Sequence, residues 1–351
     1  VFADYARNWG TNGIVIDSNG LNYQGDDDTF DVEYGTDGQA VRIVYSGATN
    51  GWIPTLDKTV ADVPSKGNQE GIFGYGSTAG GSVTLTNLVS NTGVVASDGA
   101  GAGTARYYLT ATEYGGDKGI FGYGGPYTAI TNLVSNAGVV SSDVAGVGTV
   151  RAETPGGTKY GGDKGIFGYG LTTSSVRWSG TNLVSNTGVV SSDVTGVGTA
   201  RYGISACAYG EDKGIFGYGL NGGYQSVTNL VSNTGVVSSD VTGVGTARQA
   251  GAACDYGVDK GIFGFGTTGS LVSMTNLVSN AGVVASDVTG VGTAKQATAA
   301  CEYGGDKGIF GFGTTGSLTA ATNLVSNTGV VSSDVAGVGT ARNALAGCSF
   351  N

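Results

Sequence analysis

The phrase Gly-Ile-Phe-Gly constrains this chain more than any other feature, because it occurs six times, starting at Gly71, Gly119, Gly165, Gly214, Gly261 and Gly308. The intervals are 48, 46, 49, 47 and 47 residues. Each copy is followed by Thr-Asn-Leu-Val-Ser-Asn. Self-similarity at this period is the signature of a repeat architecture, in which one small unit buries its apolar face only against the next copy.

The fourth repeat illustrates the unit. Arg201 to Tyr209, with small residues at Ala206, Cys207 and Ala208, reads as a first strand. Gly210-Glu-Asp-Lys213 is a polar turn. Gly214 to Gly219 is a second strand, and Leu220 to Val227 a loop. Thr228 to Asn233 is a third strand, Thr234-Gly235 a turn, and Val236 to Val241 a fourth. Four short strands in roughly 40–50 residues fit a propeller blade. No stretch carries a helical period, which excludes a helical solenoid.

Residues 1–58 lack the repeat. Gly13 to Asp17 and Gln39 to Tyr45 are rich in β-branched residues, Leu21 to Gln24 and Thr29 to Val32 are shorter strand candidates, and Asn19-Gly20 and Asp37-Gly38 are turn signals. The expected organisation is a small antiparallel β module over 1–58, a linker over 59–70 containing Pro64, Ser65 and Gly67, and the repeats over 71–351.

Composition removes several classes of function. Histidine is absent, which excludes His-based triads, histidine metal ligands and imidazole proton shuttles. Net charge is −10 without a basic run, which argues against nucleic acid and anionic membrane as partners. No apolar stretch approaches the roughly 20 residues that span a bilayer. Cys207, Cys254, Cys301 and Cys348 fall 47 residues apart, at the position that Thr112 takes after Arg106. Equivalent positions in adjacent repeats usually lie too far apart for the ~4.4–6.8 Å Cα separation of a disulfide. Buried free thiols are expected.

The basic residue, small-residue first strand and glycine-closed second strand (Arg201 to Tyr209, then Lys213 to Gly219) resemble the kelch class of propeller repeat. One departure is that kelch units carry a late Trp where this chain has Val-Val-Ser-Ser-Asp. The N-terminal stretch Ile14 to Gly20, Tyr23-Gln-Gly25 and Val41 to Trp52 resembles a small β domain of bacteriophage tail-fibre and related virion proteins. The implied fold is all-β, a six-bladed kelch-like β-propeller preceded by the small module. No first strand precedes Gly71, whereas Arg342 to Phe350 supplies a spare one after the last repeat. The C-terminal strand is therefore expected beside Gly71 to Gly76, completing the first blade.

Two charged patterns recur. An Asp stands eight residues before each basic residue, as in Asp98 and Arg106 or Asp240 and Arg248, and suits turn hydrogen bonding or blade-to-blade ion pairing. Asp-Lys pairs such as Asp117-Lys118 and Asp212-Lys213 fall in predicted hairpin turns. Features copied this often read as structural, since catalysis needs one asymmetric constellation. Asp26-Asp27-Asp28, with Asp31 and Glu33, is read as a solvated acidic loop, with Ca²⁺ binding as the alternative.

What differs between copies is the loop between the second and third strands, at 77–85, 125–130, 171–180, 220–227, 267–274 and 314–321. Tyr127, Arg177, Trp178 and Tyr224 lie there and are the candidate ligand-binding residues, because loops held on a rigid scaffold carry recognition. No catalytic residue, metal site or cofactor is expected. The resemblance implies a non-enzymatic virion protein of a tailed phage, exposed on the particle. It would be a tail-fibre or appendage component contacting a host receptor or glycan, joined to other virion proteins through its N-terminal module and homo-oligomeric. The alternatives are a capsid or tail decoration protein and, further off, a propeller enzyme acting on carbohydrate.

Overall fold

A computed structural model describes residues 1–25, 32–59 and 68–351. The described residues form an all-β protein with no helix and many small antiparallel sheets. Two compact units divide the chain, Val1–Ser65 and Lys66–Asn351.

In the first unit, Phe2–Ala3, Gln39–Tyr45 and Trp52–Thr59 make one sheet and Ile14–Ile16 pairs with Val32–Tyr34. Trp52–Thr59 runs on as a strand across most of what reads as the module's end, because it pairs with all of Gln39–Tyr45 around one register shift. Leu21 to Gln24 is not a strand and contributes a single bridge, Tyr23 to Gly51. Asp4 is buried and ties the unit together by accepting backbone N–H bonds from Asn8, Trp9 and Gly38 at 3.0–3.1 Å. Burial alone would raise its carboxyl pKa, but these donors hold it below the ordinary value. Of the expected acidic loop, Asp26 to Asp28 and Asp31 fall outside the described residues, whereas Glu33 lies in the strand Val32–Tyr34; residues 29–31 of the expected strand Thr29 to Val32 and 60–67 of the expected linker fall outside them as well.

The second unit holds six sheets of one plan. First strands are Thr110–Tyr114, Gly156–Tyr160, Ser205–Tyr209, Ala252–Tyr256, Ala299–Tyr303 and Ala346–Phe350. Each pairs antiparallel with the Gly-Ile-Phe-Gly strand of its sheet, which in turn pairs with the Thr-Asn-Leu-Val strand. The sixth of these first strands, Ala346–Phe350, pairs with Glu70–Gly74 in the register Cys348 to Ile72. The C-terminus thus supplies what the first repeat lacks.

The expected fourth strand is not a regular one. Val-Val-Ser-Ser-Asp joins the third strand only at isolated bridges such as Val134 to Val140 and Thr131 to Val144. The reason lies in the Asn of Thr-Asn-Leu-Val. Its side-chain amide, rather than a ladder N–H, donates to the carbonyl of the fourth segment, as Asn132 does to Ser141 at 3.0 Å and Asn323 to Ser332 at 3.1 Å.

Neighbouring sheets interlock through the glycines. A Cβ on Gly119 would meet the Cys348 Sγ at 2.4 Å, and one on Gly74 would meet the Phe121 ring at 2.7 Å. The same pair of contacts recurs from sheet to sheet, with Cys301 against Gly71 and Phe73 against Gly311. The first glycine therefore receives the small residue of one neighbour's first strand, and the second receives the next neighbour's phenylalanine. Aromatic edges add to this, from Tyr75–Phe121 at 5.2 Å to Phe73–Phe312 at 5.4 Å. All four cysteines are buried free thiols, as their spacing predicts.

The recurrent Asp and basic residue pair across repeats, as the blade-to-blade reading expects. Asp143 lies 3.9 Å from Arg106, Asp98 3.9 Å from Arg342, and Asp240 4.0 Å from Arg201. These distances are long, and the firmer hold is a threonine. Thr104 donates its hydroxyl to Asp143 at 2.7 Å, and Thr340 does so to Asp98 at 2.6 Å. The arginines stack on aromatic rings of the preceding sheet, Arg151 at 3.8 Å from the Tyr123 centroid.

Overpacking a tight interface costs about 1–3 kcal/mol. Gly119→Ala is expected to lower the melting temperature by several degrees, while Gly223→Ala, with nothing near its Cβ position, leaves it unchanged. Equal melting curves for the two variants would show that the glycine interlock carries no stability.

Candidate functional site

Six first strands lie side by side, and one position on them breaks the repeat. It is the residue before the aromatic that ends each strand: Glu113, Lys159, Ala208, Asp255, Glu302 and Ser349. Alternation along a strand sends this side chain to the face opposite its neighbours. Thr112, Thr158 and the cysteines at the preceding position pack on the glycine face of the next sheet. The variable position faces a cavity of about 60 Å³ lined by residues of all six strands.

There the Lys159 ammonium meets three carboxylates, Asp255 at 2.7 Å, Glu302 at 2.9 Å and Glu113 at 3.0 Å. The side chains are 16% exposed for Lys159, 15% for Glu113, 10% for Asp255 and 2% for Glu302. Backbone groups fix two of the six positions further. The Ala208 N–H donates to Asp255 at 2.6 Å, and the Glu302 N–H donates to the Ser349 hydroxyl at 2.7 Å. Glu302 Oε1 is buried with no partner.

Electrostatics follow from this packing. Burial would lower the Lys159 pKa, but Asp255, Glu113 and Glu302 hold it well above the ordinary value. Burial pushes Glu302 up to about 8, with Lys159 opposing and Asp255 and Glu113 adding. Glu113 is raised as well, again by burial first. The nearby thiols of Cys207, Cys254 and Cys301 are raised well above the usual range by desolvation, so they stay protonated and unreactive.

The loop candidates lie elsewhere. Arg177 is exposed, and Tyr127, Trp178 and Tyr224 are half-buried. They belong to three successive repeats, and none lines the cavity on the first strands. Arg177 and Trp178 sit on the third strand of their sheet, Arg177–Val184, which pairs with Lys164–Thr172 across a register shift. The Trp178 ring lies over Gly180, where a Cβ would meet its Nε1 at 2.5 Å. The Tyr224 hydroxyl reaches toward the next repeat's loop at Gly269. The Asp-Lys turns are ion pairs whose side chains are about two-fifths exposed on the lysine, for example Asp163–Lys164 at 2.7 Å. They read as solvated turns.

Sequence reasoning missed the charged cluster. Its signal was available by aligning the copies on the tyrosine that ends each first strand, which exposes a column of unlike residues among otherwise similar ones.

Removing one partner from a buried ion network costs about 3–5 kcal/mol. Lys159→Met is expected to lose about that much at pH 7 by denaturant titration, and to recover as the pH falls and protons replace the ammonium. A variant as stable as the parent would show that the cluster does not join the sheets. The wild-type pH profile gives a second expectation. Folded Glu302 keeps its proton to about pH 8, whereas an unfolded Glu loses it near about 4.3. The folded state therefore binds more protons across that window, and stability falls as pH rises through it. Glu302→Gln should flatten the slope in thermal melts; an unchanged slope would assign it to other groups. No family model matches the chain and no curated protein matches it, so its function rests on the geometry of its own residues.

Proposed function

We infer that the second unit is a closed six-bladed, kelch-like β-propeller and that the chain is a non-enzymatic virion component of a tailed bacteriophage. It would be a tail-fibre or appendage protein whose loops contact a host surface receptor or glycan. Closure is supported by backbone bonds that pass from each sheet to the next. The Gly115 N–H donates to Asp163, Gly161 to Asp212, Gly210 to Asp259, Gly257 to Asp306, Gly304 to Gln69 and Asn351 to Asp117, all at 2.7–2.9 Å. The last two links join the sixth sheet to the first and the first to the second.

The observation that carries the recognition reading is the contrast between strand and loop. The second and third strands repeat their register in every sheet, while the segments joining them differ. In the third repeat, the strands Lys164–Thr172 and Arg177–Val184 extend into a hairpin with an exposed tip. In the first, Ser77–Thr78 and Gly81–Ser82 form a separate small hairpin. All these segments leave the same end of the second strand, so a closed propeller collects them on one face. Several modest contacts on one rigid body raise effective concentration for each other. The enzymatic reading finds less support, since the carboxylates brought together are held by Lys159 rather than poised beside a nucleophile.

A second reading, a decoration protein packed on virion neighbours, has its own observation. Val94, Val139, Val189, Val236, Val283 and Val330 are each 65–66% exposed at one equivalent position. Repeated exposed apolar residues suit a packing surface.

Glycan-array binding by the full chain separates the two. Trp178→Ala and Tyr224→Ala should abolish it while the second unit still melts cooperatively, whereas Val189→Ser with Val236→Ser should leave it intact. Binding that survives both aromatic substitutions would overturn the loop assignment. Truncation after Gly339 tests closure: loss of cooperative melting throughout the second unit is expected, and an intact transition would favour an open array.

A further inference from the structure

We propose that Lys159 and Asp255 join their side chains in an intramolecular amide, a covalent staple across the cavity of the six first strands, with Glu113 and Glu302 as its proton carriers. The Lys159 Nζ lies 2.7 Å from Asp255 Oδ2, and Glu302 and Glu113 approach the same nitrogen at 2.9 and 3.0 Å. The other oxygen of Asp255, Oδ1, accepts the Ala208 N–H at 2.6 Å. A fixed backbone donor there steadies the charge that builds on a carbonyl oxygen under attack. Among the described residues, only Asp255 of the three acids has such a donor.

The lysines of the hairpin turns lack this setting. Lys118, Lys164, Lys213, Lys260 and Lys307 are about two-fifths exposed beside the Asp that precedes each, so water competes for both groups. Lys295 is buried, but its partners are Asn323 and the Ala321 carbonyl. Lys159 alone brings an amine against a carboxyl group inside a cavity.

The step balances without a co-reactant. Glu113 takes one proton from the Lys159 ammonium, which unmasks the amine as a nucleophile. Glu302, whose carboxyl burial pushes up to about 8, gives its proton to Asp255 Oδ2. The amine lone pair forms the Nζ–Cγ bond while Oδ1 holds the displaced pair. A second Nζ proton moves to Oδ2, the Cγ–Oδ2 bond breaks, and one water leaves. The proton on Glu113 passes back to Glu302, so both acids end as they began and nothing is oxidised or reduced.

Burial drives the bond forward. An ammonium and a carboxylate are costly to hold away from water, whereas an amide carries no charge. The acids hold Lys159 well above its ordinary pKa, so the free amine is rare, but the bond need form only once per chain. The cavity of about 60 Å³ takes up the released water, which needs about 10–15 Å³. Lys159 is on the strand Gly156–Tyr160 and Asp255 on Ala252–Tyr256, with Ser205–Tyr209 between them in sequence. The link therefore closes residues 159–255 into a covalent loop.

Denaturing mass spectrometry of the full chain, incubated folded at neutral pH, tests this. The intact mass is expected one water below that of the sequence. Trypsin should then leave Lys159 uncut and release residues 152–164 joined to residues 249–260. Asp255→Ala and Glu302→Gln should each return the full mass, while Asp255→Asn should restore the bridged peptide by releasing ammonia in place of water. A wild-type chain of full mass would overturn the proposal, and the cluster would then be an ion-pair network alone. Loss of water without the bridged peptide, or a bridge to Glu113 or Glu302, would overturn it as well. These wild-type measurements decide the matter whether or not each variant folds. A bridge that forms equally fast in folded Glu302→Gln would overturn the role given to Glu302.

Discussion

The contact on which the repeat unit depends is the seating of one sheet's phenylalanine ring on the bare glycine of the sheet before it. Phe121 lies against Gly74 and Phe73 against Gly311. A buried phenylalanine contributes about 1.5–3 kcal/mol by area alone, but here it also sets distance. Any Cβ at the glycine would push the sheets apart and break the backbone bonds that join them, such as Gly115 to Asp163. The glycine is therefore a spacing device between sheets, and the hydrophobic effect is what pulls the ring into it.

Once that spacing is fixed, the polar parts become inevitable partners. A basic residue at the start of each first strand is buried against the previous sheet's aromatic, and it stays there only because an asparagine or a carbonyl meets it. Arg201 donates to Asn229 at 2.7 Å and to the Tyr218 carbonyl at 2.7 Å. Lys295 stands at the equivalent position and shows the cost of a weaker fork. Burial pushes it down to about 8, with Asp334 only partly restoring it. Burial lowers the arginines too, Arg342 to about 10, but the guanidinium is delocalised and less strongly hydrated, so its charge keeps a wider margin.

The parts of this fold that were legible in the sequence are those that repetition advertises. The six copies, the spare strand at Arg342 to Phe350 and the free thiols all followed from spacing, and the pairing of Cys348 with Ile72 agrees. The fourth strand was over-read, because Val-Val-Ser-Ser-Asp does not reveal that an Asn side chain takes one of the carbonyls its ladder would use. The recurrent Asp was legible as a blade-to-blade partner, and Asp143 with Arg106 and Asp98 with Arg342 pair in that way.

The charged cluster was hidden by the same repetition that made the rest plain. Glu113, Lys159, Asp255 and Glu302 are scattered over roughly 190 residues (113 to 302), and each alone looks like an ordinary strand residue. Only the convergence of all first strands brings them within hydrogen-bond reach. A six-fold repeat whose copies were identical at this position would place six like side chains on one cavity. Six carboxylates there would repel, and six lysines would do the same. Asymmetry at that single column is therefore what electrostatics requires if the cavity is to hold charge at all. It also makes the repeats non-interchangeable, since Lys159 must face sheets bearing Asp255 and Glu302 for the cluster to close.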